Sequence, residues 1–465
     1  MDDGAGGAQR TPLALASPQA LGAEVLERLR ALPGGPELLE LAGAREDVKL
    51  VGGAVRDLLL GGVPRELDVV LAADAPALAE ELAARLGGTV TVHERFGTAL
   101  VEHGEARVDV ATRRAESYPS PGALPQVRPG TPEEDLERRD FTVNAIAVGL
   151  DRGQRGDLRH APHALGDLAA RRLRVLHERS FLDDPTRLLR LARYHARLGF
   201  ALEQRTAELA REALAGGALD TVSGARLGAE LRLALSEPEP LPALAALSEL
   251  GVLEELHPLL RWDEPLVRHA LARLPRDGRL DILLLAALIL PLILPDDEAP
   301  RTPAFEWLNR LEFTHGDRDL AMDAAMGALR LIETVPLIET VPPWENPVEL
   351  YVRMCLDSPE GVALFAGLGH EHEDQEAIDG AATFWLEHLR HVQLQITGDD
   401  LLAAGVPEGP EVGNRLTATL LLRIKEKLGD GREEQLRVAL AIPAKVVRNR
   451  SAGPLPRKRR RGPHG

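Results

Sequence analysis

The chain has 465 residues, enough for about three domains of ordinary size. Lys and Arg number 55 against 72 Asp and Glu, a net charge of −17, which excludes a surface that is basic all round and leaves room for a local basic groove. One cysteine, Cys355, excludes an internal disulfide framework and any cysteine-based zinc cluster, and 3% aromatics excludes base stacking as the main way of holding nucleic acid.

Residues 1–20 are acidic, small and turn-rich, with no apolar signal-peptide core, and read as a disordered leader. From Leu21 to about Leu41 apolar residues recur at helical spacing, broken by a turn over Pro33-Gly34-Gly35-Pro36. Val48 to Val51 is a short apolar run ending at Gly52-Gly53, and Ala54 to Leu60 reads as a helix stopped by Gly61-Gly62. Leu67 to Leu71 reads as a strand, Ala75 to Leu86 as a helix and Thr89 to His93 as a strand. Thr98 to Glu102 and Arg107 to Ala111 flank a hairpin turn.

Residues 21–150 are thus expected to hold a mixed α/β unit with a small sheet. Arg113 to Asp135, rich in Pro, Gly, Ser and Glu, reads as a long loop. Past Asp157 the chain is expected to be helical throughout, with amphipathic helices at Arg187 to Leu198, Thr206 to Leu214, Ala225 to Leu235 and Leu241 to Leu250. Helical domains over 151–235 and 236–445 follow. Leu-Ile-Glu-Thr-Val-Pro occurs twice in tandem from Leu331 to Pro342, and 446–465 reads as a basic, disordered tail. The longest apolar run, Ile282 to Leu294, contains Pro291 and is too short to span a bilayer. The expectation is an α+β protein of the cytoplasm, with no membrane contact.

Three constellations carry chemistry. In the first, Gly52-Gly53 stands between strand and helix, where backbone N–H groups can approach a phosphate, and Arg56 follows one turn later. Glu66 and Asp68, two apart on a predicted strand, project from one face, and Asp109 on a neighbouring strand adds a third carboxylate. Such carboxylates repel one another unless a hard divalent cation such as Mg²⁺ lies among them, an arrangement suited to two-metal phosphoryl transfer; a solvated strand edge is the plain alternative. The second, Arg138-Arg139-Asp140-Phe141-Thr142-Val143-Asn144-Ala145, crowds polar groups just before an apolar run, to be satisfied by a ribose and phosphate or by an internal cap and salt bridge. The third runs from Asp183-Asp184-Pro185 into a helix bearing Arg187, Arg190 and Arg193 at intervals of three. Those arginines repel unless an anion lies against them, a triphosphate or simply solvent ions. If Asp184 caps the helix, it is free to read a base only where Asp183 takes over the cap.

In this order and spacing, from about Lys49 to Phe200, the motifs resemble the class II tRNA nucleotidyltransferase (CCA-adding) and bacterial poly(A) polymerase family, whose hallmarks are G-G-x-V-R-D, D-x-D, R-R-D-F-T-x-N-A and E-D-x-x-R. The stretch from Ile396 to Gly413 resembles the tail segment of the CCA-adding members. The resemblance implies a nucleotidyltransferase head with a small mixed sheet, then an all-α neck, body and tail. It implies Glu66, Asp68 and Asp109 as catalytic ligands of Mg²⁺, and Gly52, Gly53 and Arg56 at the triphosphate. Arg139, Asp140 and Asn144 would sit near the ribose and phosphates, Asp184 and Arg187 would form the template for the base, and Arg190 and Arg193 would complete the pocket. Substrates would be CTP, ATP and the tRNA 3′ end. Arg211, Arg226 and Arg232 are expected to face the RNA backbone.

Departures from the family pattern are Glu66 for its first Asp, Asp183 for its Glu, and a partly preserved segment near Ala161 to Leu168. No H-D-x-G-K phosphohydrolase signature is present. Full CCA addition, CC-only or A-only addition and poly(A) synthesis share the chemistry. A non-catalytic RNA-binding relative is the alternative of a different kind.

Overall fold

The computed structural model describes residues 16–72, 74–93, 97–293, 302–333 and 345–443. The leader before residue 16, most of the Leu-Ile-Glu-Thr-Val-Pro repeat and the basic tail lie outside the described residues. The chain divides into two compact units, residues 1–258 and 259–465.

The first unit is built on a seven-stranded sheet. In chain order its strands are β1 (Lys49–Val51), β2 (Leu67–Leu71), β3 (Thr89–His93), β4 (Thr98–His103) and β5 (Ala106–Thr112). A separate ribbon of β6 (Arg114–Ser117) and β7 (Gln126–Pro129) comes next, and β8 (Ile146–Gly149) and β9 (Leu158–His160) complete the sheet. The spatial order is β3-β4-β5-β2-β1-β8-β9, antiparallel except for β2 beside β5. That parallel pair needs a crossover, which the Ala75–Leu86 helix supplies by packing on β3, β4 and β5. β1 lies between β2 and β8 and is buried at all three residues. Alternation buries Val108 and Val110 and leaves Asp109 half-buried on the opposite face, as the sequence predicts.

The predicted elements of residues 21–112 appear within a few residues of their expected limits, and the first helix starts at Pro18, inside the stretch expected to be a disordered leader. Two further expectations fail. The segment expected to be a loop over 113–135 holds the antiparallel β6–β7 ribbon and the Pro132–Glu137 helix, capped by Thr131 and Glu134 acting reciprocally. The chain past Asp157 is not wholly helical either, because β9 adds an edge to the sheet and Arg172–Leu173 pairs with Ala201–Leu202.

Behind the sheet the Pro18–Arg30 helix packs on the Gly53–Leu60 helix. Thr186–Leu198 packs on Gly224–Leu235 and Pro240–Glu249. The second unit is helical among the described residues. The Leu280–Ile289 helix is buried from Ile282 to Ile289 and is its central rod, flanked by His315–Ile332 and Pro359–Leu368. Ile396, Leu401, Val406 and Ala439 form a smaller cluster that includes the tail-like segment. No helix among the described residues is long and apolar enough to cross a membrane.

Candidate nucleotide-binding site

Asp68 and Asp109 are direct partners across the parallel β2–β5 pair, so their side chains stand next to each other on one face. Burial first, then the charges of Glu66 and Asp109, push the Asp68 carboxyl up to about 7 against the pull of Arg139 and Arg56. Asp109 is also raised, by burial and by Glu66. Glu66 lies one residue before β2, half-exposed, in an ion pair with Arg107 at 3.2 Å. Among the described residues no three His, Cys, Asp or Glu side chains are already gathered around one point. Asp68, however, makes no hydrogen bond or ion pair among them, and a buried carboxylate with acidic neighbours is the donor a hard divalent cation satisfies.

Gly52 joins these carboxylates to the second constellation. It has φ +72, and a Cβ there would lie 2.7 Å from Arg139 Nη1 and 3.4 Å from Asp68 Oδ2, so only glycine lets the arginine come so close. Arg139 donates to Asp135 Oδ2 at 3.1 Å, and its buried Nε has no partner. Asp140 accepts from Phe141 N–H and Asn144 Nδ2, each at 2.9 Å. Burial opposes its ionisation, but the Arg190 charge, the Asn144 amide, the Arg187 charge and the Phe141 N–H hold it below its ordinary value. Asn144 Oδ1 in turn accepts from Arg56, which is buried, also donates to Asp57 and lies against the Tyr194 ring. Arg56 and Asn144 therefore form a buried support beneath the glycine turn.

A cavity of about 280 Å³ opens beside this support, and Arg139, Asp140, Asp184, Arg187 and Arg190 line it together. Asp184 Oδ1 accepts from Thr186 N–H at 3.1 Å, Thr186 Oγ1 at 2.6 Å and Arg226 Nη2 at 2.7 Å. Asp183 pairs with Arg179 instead. Asp184 thus bonds the first turn of the helix, whose cap position is Pro185, through one oxygen, and Oδ2 has no partner among the described residues. Arg187 donates to Ser180 Oγ at 2.6 Å and to the Arg138 carbonyl at 2.7 Å, and its Nε is buried without a partner.

For Arg190 and Arg193 an internal anion lies beside the arginine ladder. Arg190 donates to Glu230 at 2.6 Å, and Arg193 reaches both Glu230 and Glu237 at 3.3 Å. Arg193 lies over Tyr194 and does not line the cavity. Arg226, expected on the RNA-facing surface, lines the cavity and bonds Asp184.

Sequence reasoning missed Glu230 and Glu237 and gave Arg226 a different place; Tyr118 also lines the cavity, its hydroxyl bonding Glu116 at 3.0 Å and pushed up to about 12, mainly by burial. A signal did exist for Glu230: it shares the apolar stripe of Leu227, Leu231 and Ala234, where a charge must find a partner.

Residues 48–174 match a family model described as the poly A polymerase head domain, and 199–263 match the probable RNA and SrmB-binding site of polymerase A. The A-adding tRNA nucleotidyltransferase of Geobacter sulfurreducens is 33% identical over 409 residues, covering 85% of this chain and 45% of its own. The multifunctional CCA protein of Xanthomonas axonopodis pv. citri is 31% identical over 417 residues, covering 81% of this chain and 98% of its own. The Thermotoga maritima CCA-adding enzyme complexed with tRNA superimposes with a TM-score of 0.66 at 26% identity, over 90% of this chain and 98% of that one. The chain spans about half or less of the A-adding relatives it matches. With an acidic pair in register beside a glycine turn, an arginine-lined cavity and full-length likeness to the Xanthomonas protein, the chain belongs to the tRNA nucleotidyltransferase and bacterial poly(A) polymerase family.

Proposed function

We propose that the protein adds nucleotides from CTP and ATP to the 3′ end of tRNA without a nucleic-acid template, building or repairing the terminal CCA and releasing pyrophosphate. The observation that carries this reading is the cavity itself, where a free carboxylate oxygen of Asp184 stands with the Arg187 guanidinium. Cytosine and adenine both present an amine donor beside a ring-nitrogen acceptor, and an acceptor–donor pair on the protein complements that edge. Uracil and guanine present the reverse order.

In the reaction the RNA 3′-oxygen bonds to the α-phosphorus, the bond from that phosphorus to the bridging oxygen breaks, and the hydroxyl proton passes to solvent. Asp68 and Asp109, joined by Glu66 on leaving Arg107, would hold Mg²⁺, which when bound supplies neutralisation of the triphosphate and a more acidic 3′-hydroxyl. Arg139 would face the nucleotide phosphates and ribose, with Arg190 on the cavity wall beside it while paired to Glu230. Asp140 keeps Asn144 turned toward Arg56, and that buried arginine stiffens the Gly52-Gly53 turn on which the phosphates would rest. The helices beyond about residue 200, with the exposed Arg211, would bear on the tRNA by shape and charge.

A-only addition is a second reading, supported by the likeness to A-adding relatives at 33–41% identity. The test incubates the protein with Mg²⁺, with CTP alone, ATP alone or both, and tRNA lacking CCA or ending in CC. Three added nucleotides support full CCA synthesis, one A on the CC-ending tRNA alone supports the second reading, and no incorporation overturns both. Glu66→Asp separates a decayed relative from an enzyme: revival of an inactive protein by that change identifies the former.

A further inference from the structure

Arg226 does something the arginine ladder does not. Its guanidinium spans two elements, with Nη2 donating to Asp184 Oδ1 at 2.7 Å and Nη1 to the Gly122 carbonyl at 2.9 Å. Gly122 is itself seated tightly. Its N–H donates to the Leu182 carbonyl at 3.0 Å, its φ is +70, and a Cβ there would meet Thr221 Oγ1 at 2.1 Å. The ribbon loop carrying Gly122 contributes Tyr118 and Pro125 to the cavity wall. The loop, the turn before Asp184 and the helix bearing Arg226 therefore close a ring of contacts around one carboxylate.

We propose that Arg226 is a positioning residue for base selection, clamping Asp184 so that Oδ2 alone is offered to the incoming base and fastening the Gly122 loop to the same clamp. This rests on the reading of Asp184 as the group that meets the base. Thr186 alone bonds one oxygen from its own backbone and hydroxyl, which leaves the carboxylate able to turn about its last bond and exchange its two oxygens. A third donor from a different helix removes that freedom, and a fork is needed because the second arm must reach the loop. With both Nη atoms turned inward, Arg226 is not oriented as a ligand for RNA phosphates.

The experiment measures kcat and KM for CTP, ATP, UTP and GTP on tRNA substrates, for the full chain and for Arg226→Ala, Arg226→Gln and Arg226→Lys. In Arg226→Ala the preference for CTP and ATP over UTP and GTP falls at least about tenfold in kcat/KM. Lysine restores little, because one ammonium cannot hold both partners, while the tRNA Kd and its salt dependence stay unchanged. In an Asp184→Asn background the Arg226→Ala change has no further effect on selectivity. An equal fall for all four nucleotides, with selectivity intact, overturns the proposal. So does a weaker tRNA Kd with a salt slope reduced by about one, which would mark a phosphate contact. Thermal midpoints show which variants are folded, and glutamine, the least disruptive, is read if alanine is not. A wild-type protein that adds no nucleotide removes the underlying reading; an active one with unaffected variants removes only the role of Arg226.

Discussion

Asp68 carries the largest electrostatic burden of the acidic site, and its burden has a sign. Its carboxyl is raised from the ordinary 3.8 to about 7 by burial and by Glu66 and Asp109. Between about pH 4 and 7 the folded protein therefore keeps a proton that the unfolded chain has released. Stability falls as pH rises through that window, and the cost is complete above pH 7. At about 1.4 kcal/mol per unit, discounted for relaxation, it is roughly 2–4 kcal/mol. Asp68→Asn is expected to raise Tm by several degrees at pH 8 without divalent ions, and by nothing near pH 4. Added Mg²⁺ stabilises the wild type and closes the gap at pH 8, because an ion relieves the same repulsion. Calorimetry across that range checks both; an equal gap at every pH counts against the account. That Asp68 and Asp109 stand on the sheet face opposite the buried valines was legible from alternation alone. That Glu66 turns to Arg107 was not, because the choice depends on which arginine the neighbouring strand places within reach.

At the scale of elements, the Thr186–Leu198 helix shows how a pattern was read correctly and its partner missed. Arginines at intervals of three do form one side, but Glu230 and Glu237 from outside the helix compensate two of them. Arg190 is held still more firmly protonated, since Glu230, Asp140 and Asp184 outweigh the effect of burial. Glu230→Ala takes one carboxylate from Arg190, which keeps Asp140, and from Arg193, which keeps Glu237, and the lost charge-assisted hydrogen bonds are expected to cost about 1–3 kcal/mol. Urea unfolding should show that loss as a lower midpoint at unchanged slope, and Glu230→Gln should lose less. The β6–β7 ribbon was illegible for a related reason. Its strand residues gain a structural role only by pairing with each other, and the Pro- and Gly-rich stretch between them carries the local signal of a loop.

For the whole molecule, every residue lining the nucleotide cavity precedes 258, the end of the first compact unit. A chain ending at Pro258 is therefore expected to bind CTP and ATP within about threefold of the full protein while tRNA affinity falls at least tenfold. Equilibrium dialysis with labelled nucleotide and a filter assay with tRNA check the two halves of that statement. Loss of nucleotide binding by a truncated chain that still folds counts against that division. The sheet was less legible at its far edge than at its centre, since β9 has three residues and registers as a strand only through β8.

The sequence by itself determined the order of elements up to residue 112, the glycine turn, the acidic pair and the motif series that points to nucleotide transfer. Those features are local: alternation, helix period and short-range spacing follow from one stretch of backbone at a time. Tertiary structure alone decided which arginines are spent on glutamates and which remain for a ligand. It also decided that Arg226 faces inward and that Asp184 keeps one oxygen free. Charge pairing between residues 40 positions apart or more depends on distances that only the folded chain creates, and no periodicity within either segment encodes them.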